Sequence, residues 1–173
     1  MLIERLPEDI KEALRNAEQP IDRHPEKTVY NHIWLVEKEA EKFNEPILLI
    51  CAVLHDIGKK DVIQVRKDKN VFYGHELASL KYIPKLKHLF LDVLPADEDW
   101  EVVKWVCQNH MKAHILAHFI DEEGYEKPSF PFIALTISGG HTQIVKVESF
   151  FEMEIIGETT DDAVGEAFDK SAK

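Results

Sequence analysis

An α+β fold is predicted, with an all-helical N-terminal part followed by a small unit of strands and a helix. Three observations predict it. Apolar residues recur at helical spacing from residue 7 to about residue 120. After Asp121-Glu122-Glu123-Gly124 the pattern turns to alternation over 130–137, 142–147 and 153–156. The basic residues and the acidic excess are also unevenly shared, with acidity concentrated in the shorter C-terminal part of a chain whose net charge is -11.

The first helix is read over 7–17, with Pro7 near its start and Ile10, Ala13, Leu14 and Ala17 on one face. A loop follows through His24-Pro25. Residues 28–43 carry Val29, His32, Ile33, Val36, Ala40 and Phe43 on one face, with charges opposite. Pro46 marks another helix start, and 47–57 is almost wholly apolar, as a helix buried on most sides would be. Gly58 reads as its left-handed stop. Residues 61–73 form a charged loop with room for a short hairpin. Residues 74–86 and 89–93 read as helical, and Pro95-Ala96-Asp97-Glu98-Asp99 opens a helix running to about residue 120. Beyond the three strands, Asp161-Asp162 caps a helix over 163–173.

Composition excludes some classes. A charge of -11 argues against a nucleic-acid surface built from bulk electrostatics. The basic residues that do cluster, Lys59, Lys60, Arg66, Lys67 and Lys69, follow directly on His55-Asp56. A solvated loop is the default reading of that cluster, and an anionic substrate is the second. Cys51 and Cys107 lie in apolar helical contexts without a CxxC partner, and read as reduced core residues of a cytoplasmic protein. No run of about 18 apolar residues is present to span a bilayer, and the charged N-terminus is not a signal peptide.

Chemistry concentrates on histidines. A single histidine on an apolar face, such as His32, is by default a hydrogen-bonded core residue. An adjacent His55-Asp56 pair ending a buried helix is different. An ionised carboxylate beside an imidazole is costly to bury unless a cation neutralises it. Mixed His/Asp ligation suits a Zn, Mn, Fe or Mg ion that activates water. His110 and His114 stand four apart on a helix, where both imidazoles can face one ion. Ser138-Gly139-Gly140-His141-Thr142 is a turn whose backbone amides can approach a phosphate, or a hairpin that simply needs glycines.

The words His24-Pro25-Glu26, Asn31-His32, Leu54-His55-Asp56-Ile57-Gly58-Lys59 and Phe72-Tyr73-Gly74-His75-Glu76 resemble the HD superfamily of metal-dependent phosphohydrolases. The resemblance covers residues 23–114, and the flanking words are similar to the HD domain attached to tRNA nucleotidyltransferases and its stand-alone relatives. It implies an HD-type helical domain in which His32, His55, Asp56 and a later Asp hold one divalent metal. It places His75 and His110 at a second metal or the phosphate, and Lys59 near the phosphate. Asp56 would also accept a proton. The implied activity is hydrolysis of a phosphomonoester or phosphodiester on a small, nucleotide-like substrate. The helix that carries the late Asp in that family is replaced here by strand-like sequence, so the resemblance also implies an impaired site.

A second resemblance covers residues 109–173. Asn109-His110-Met111-Lys112-Ala113-His114, Ile137-Ser138-Gly139-Gly140-His141-Thr142-Gln143 and the stretch from Gly157 through Asp169-Lys170 are similar to the tRNA threonylcarbamoyladenosine transferase family, of actin-like ATPase fold. It implies that His110 and His114 are metal ligands, and that Ile137, Ser138, Gly139, Gly140, His141 and Asp169 line the substrate site. One wall of a cleft cannot preorganise reacting groups, so no transferase activity is expected.

The leading reading is a fusion, with residues 1–107 an HD phosphohydrolase-like domain and 108–173 a transferase fragment of one helix, about three strands and a second helix. His110 would serve the HD site. The rival reading is a catalytically inactive chimera whose exposed C-terminal strands form a homo-oligomer.

Overall fold

The computed structural model describes residues 1–21, 24–66, 68–112, 115, 128–137, 142–149, 152–160, 164, 167 and 171. It divides into two compact units, Met1–Met111 and Lys112–Lys173.

In the first unit, α1 (Glu8–Asn16) starts after Pro7, whose carbonyl accepts from the amides of Ile10 and Lys11. Glu8 and Asp9 in its first turn and Arg15 in its last complement the helix dipole. Helix α2 (Val29–Ala40) is capped by Thr28, whose Oγ1 accepts from the Asn31 amide at 3.2 Å. Helix α3 (Pro46–Leu54) begins with proline at its first position, where no amide is needed, and buries Ile50 through Leu54. A 3-10 turn (Ile57–Asp61) and a hairpin of β1 (Gln64–Arg66) and β2 (Lys69–Val71) follow. Then come α4 (His75–Leu80), α5 (Ile83–Leu86) and α6 (Asp97–Asn109), the last with Asp97, Glu98 and Asp99 in its first turn. A 3-10 turn, His110–Lys112, follows α6. Among the described residues no helix is long and apolar enough to cross a membrane.

The core packs Ile33 of α2, Ile50, Val53 and Leu54 of α3, and Trp100, Val103 and Cys107 of α6 with Phe90 and Leu94. The Trp100 indole amine satisfies itself on the Leu94 carbonyl at 3.0 Å, so the largest buried ring leaves no polar atom stranded. Such side chains contribute about 1.5–3 kcal/mol each on burial, and they fix the relative places of α2, α3 and α6.

Four expectations are corrected. Gly58 is not a left-handed stop. It lies inside the 3-10 turn, and its missing side chain is required by space: a Cβ there would fall 2.3 Å from the backbone N of Ser79. Glu37 is not on the solvent face of α2. It is buried and accepts from the amides of Leu2 and Ile3, which closes the N-terminal 3-10 turn. Phe43 leaves the inner face because α2 tightens to 3-10 after Ala40, and it is 67% exposed. The expected helix over 89–93 is absent: Leu89 ends a 3-10 segment (Lys87–Leu89) and residues 90–93 form turns, with Pro95 close behind.

In the second unit, β3 (Phe132–Ile137), β4 (Thr142–Val147) and β5 (Met153–Glu158) form an antiparallel sheet in sequence order. The register runs from Phe132 opposite Val147 to Ile137 opposite Thr142, and shifts between Ile144 and Val145 against β5. One face buries Val145 and Val147 with Phe132, Ala134, Met153 and Ile115. The other leaves Ile133, Leu135 and Ile137 exposed. Val164, Ala167 and Ser171 are helical, within the expected C-terminal helix.

Candidate metal centre

Four histidines converge on Asp56, each from a different piece of local structure. His32 comes from the first turns of α2, and His55 from the cap of α3. His75 opens α4 after Gly74, whose φ of 78° turns the chain in the left-handed region that glycine adopts without strain. His110 begins the 3-10 turn after α6. Asp56 follows α3 and is 2% exposed.

Asp56 Oδ2 lies 3.3 Å from His32 Nε2, 3.3 Å from His55 Nε2 and 2.7 Å from the Lys59 ammonium. Its Oδ1 lies 3.1 Å from His75 Nε2 and 3.4 Å from His110 Nε2. His75 Nε2 and His110 Nε2 are themselves 3.0 Å apart. Burial pushes the Asp56 carboxyl up, while positive charge at His55 and protons on the Nε2 atoms of His110, His55 and His75 would hold it well below the usual carboxylate range. Burial pushes His32 down, against the pull of Asp56, which favours the neutral ring.

The opposite nitrogens decide what these rings present. His55 Nδ1 is 2.9 Å from the Ala52 carbonyl, His75 Nδ1 is 2.8 Å from that of Phe72, and His110 Nδ1 is 2.8 Å from that of Cys107. His32 Nδ1 is 2.7 Å from Glu26 Oε1. A carbonyl or carboxylate only accepts, so each Nδ1 carries the hydrogen. In the neutral ring each Nε2 is then a lone pair, and all four lone pairs face the Asp56 oxygens or one another. That arrangement repels itself unless a cation sits among the donors. Consistently, Asp56 Oδ1 is buried without a hydrogen-bond partner. Around Asp56 the donor set fits a divalent ion in two overlapping groups, His32–His55–Asp56 and Asp56–His75–His110, and His24, Glu26 and His32 form a third that shares His32.

Lys59 is buried, with its ammonium on Asp56 Oδ2 and, at 2.9 Å, on Gln19 Oε1. Lys60 pairs with Asp61 at 2.8 Å. Ile137 ends β3 in the second unit and is exposed. His114, Ser138, Gly139, Gly140, His141 and Asp169, the other expected ligands and substrate contacts, lie outside the described residues.

Sequence reasoning assigned no role to Gln19, Glu26 or Ser79. Ser79 Oγ accepts from the Gly58 amide at 2.9 Å and donates to the His55 carbonyl at 2.8 Å, so it locks the backbone that carries His55 and Asp56. The tight Gly58 site was a signal that something packs on that turn, but not what.

Comparison with known proteins finds two overlapping matches. Residues 103–173 match the family of tRNA N6-adenosine threonylcarbamoyltransferase. The tRNA N6-adenosine threonylcarbamoyltransferase of Christiangramia forsetii is 78% identical over 65 residues, which are 38% of this chain and 19% of that protein. The corresponding protein of Cytophaga hutchinsonii is 72% identical over 65 residues, 38% of this chain and 18% of its own. The chain thus spans about a fifth of the length of these curated relatives. Residues 21–132 match the HD domain, and the two matches share residues 103–132, Asn109 and His110 among them. HD domains are metal-dependent, and this match covers all four histidines around Asp56. On that match, which takes in well over half of its length, the chain belongs to the HD domain family.

Proposed function

We propose that this chain is a metal-dependent phosphohydrolase acting on a small, nucleotide-like phosphoester. The observation that carries the reading is the convergence of four Nε2 atoms on one buried carboxylate, with every Nδ1 tied back. His32, His55, Asp56, His75 and His110 would hold the metal. Four imidazoles to one carboxylate suit Mn, Fe or Zn better than Mg, which prefers oxygen. A divalent ion bound there lowers the pKa of water and polarises a phosphoryl oxygen.

The chain's own residues have distinct tasks in this reading. Asp56, held ionised by its surroundings, supplies charge and ligation and is a weak base. Lys59 balances that charge from within the fold. The carbonyls of Ala52, Phe72 and Cys107 keep the imidazoles aimed. The test is hydrolysis of nucleotides, cyclic diesters and a chromogenic phosphomonoester by the Mn-supplemented protein. Turnover lost in His55→Ala supports the reading, and no turnover on any ester counts against it.

A second reading, self-association through the sheet, is favoured by the exposed Ile133, Leu135 and Ile137 on one face of β3. Light scattering then gives a dimer or larger species that Leu135→Lys converts to monomer. A monomeric wild type sets this reading aside. Transfer of a threonylcarbamoyl group is not proposed for a segment that spans about a fifth of its relatives.

A further inference from the structure

His32 is the exception among the four imidazoles. His55, His75 and His110 each place Nδ1 on the carbonyl three residues earlier. His32 lies in the first turns of α2, and its Nδ1 meets a carboxylate instead, Glu26 Oε1 at 2.7 Å. The same oxygen is 2.8 Å from His24 Nδ1, and the His24 and His32 rings stand edge to face with centroids 5.1 Å apart. The Glu26 side chain is only 10% exposed.

The chain around Glu26 is built to hold it. Its carbonyl accepts from the Thr28 amide at 2.9 Å and from Asn31 Nδ2 at 2.8 Å, so the loop is tied to the cap of α2. Lys27 between them sits at φ 73°, a conformation that a lysine adopts only under constraint from its surroundings. Gln19 donates its amide to the Lys27 carbonyl at 2.7 Å while its side chain holds Lys59.

We propose that Glu26 is the positioning residue of this centre. Its one oxygen holds His32 and His24 together and sets His32 in the Nδ1–H form, with Nε2 turned to Asp56. A carboxylate on the far nitrogen makes a ligating imidazole a stronger donor than a carbonyl does, and loss of such a partner lowers metal affinity about 10–100-fold. The proposal rests on the metal-centre reading, and its test separates the two.

Imidazole nitrogen NMR on the full chain without metal reports the tautomer of His32 directly, and calorimetric titration with Mn²⁺ reports affinity. The wild type is expected to show His32 as Nδ1–H. Glu26→Ala should lose that preference and bind Mn²⁺ at least about 10-fold more weakly. Glu26→Gln, which keeps a neutral acceptor, should retain the tautomer and bind with intermediate affinity. A wild-type His32 in the Nε2–H form, or a tautomer unchanged in Glu26→Ala, overturns the role of Glu26 whatever the metal does. A wild type that takes up no Mn²⁺ overturns the metal centre, and the tautomer still decides for Glu26.

Discussion

Gly58 and Ser79 are in backbone contact: the Gly58 amide donates to Ser79 Oγ at 2.9 Å, and a Cβ on Gly58 would lie 2.3 Å from the Ser79 backbone N. This contact seats the turn that carries Asp56 and Lys59 on the helix that carries His75. Two further backbone atoms, Ala78 C and His75 O, would meet the same Cβ at 2.6 Å, so no side chain can swing aside to make room. Gly58→Ala is therefore expected to cost about 3 kcal/mol, at the upper end of overpacking, and to weaken metal binding with it. The urea midpoint checks this, and a shift worth under about 0.5 kcal/mol would contradict it.

Lys59 and Asp56 form a buried pair at 2.7 Å. Lys59→Met leaves the carboxylate without its ammonium, which for a buried pair costs about 3–5 kcal/mol. A divalent ion at the centre supplies the missing charge. The loss is thus expected to be large in chelator and much smaller with Mn²⁺ present, in paired thermal unfolding scans. Equal losses in both conditions would count against a metal bound to Asp56.

Glu37 accepts from the Leu2 amide and, at 3.0 Å, from that of Ile3. Glu37→Leu strands both donors beside the core, at an expected cost of about 1–3 kcal/mol. Glu37→Gln keeps an acceptor and should lose less. Melting temperatures of the two variants rank the effect, and an equal loss would show that the acceptor does not matter.

Burial pushes the Cys51 thiol up to about 12 and raises that of Cys107 as well. Both folded-state values lie above the unfolded ones, so the fold favours the protonated thiols. That contribution is fully present at neutral pH, and it declines as pH climbs past the ordinary value of 9.0 towards 12. Native protein should leave both thiols unreactive to an aromatic disulfide reagent at pH 8, with two released in denaturant. Rapid labelling of Cys51 in native protein would contradict its burial.

Much of this architecture is legible in local sequence because local chemistry decides it. Pro46 with the apolar run behind it, the Asp97-Glu98-Asp99 turn and the alternation of β3 and β4 all state their structure within a few residues. What fails is decided at a distance. Gly58 looked like a helix stop because the residue that forbids its side chain, Ser79, is 21 positions away. Glu37 looked exposed because its partners are amides 34 and 35 positions earlier. The centre follows the same rule. His55-Asp56 announces itself as a charge buried beside an imidazole, and His32, His75 and His110 follow from the resemblance. Glu26 sits before the α2 cap, where no periodicity operates, so only the folded loop brings it to His32.

The central claim is that the imidazoles around Asp56 form a metal centre. Elemental analysis of the purified full chain, after equilibration with Mn²⁺ and removal of free ion, tests it most directly. The account predicts stoichiometric metal in the wild type and loss of most of it in Asp56→Ala, with the variant still folded by circular dichroism. A folded wild type that retains no metal, or an Asp56→Ala protein that retains as much, would contradict it.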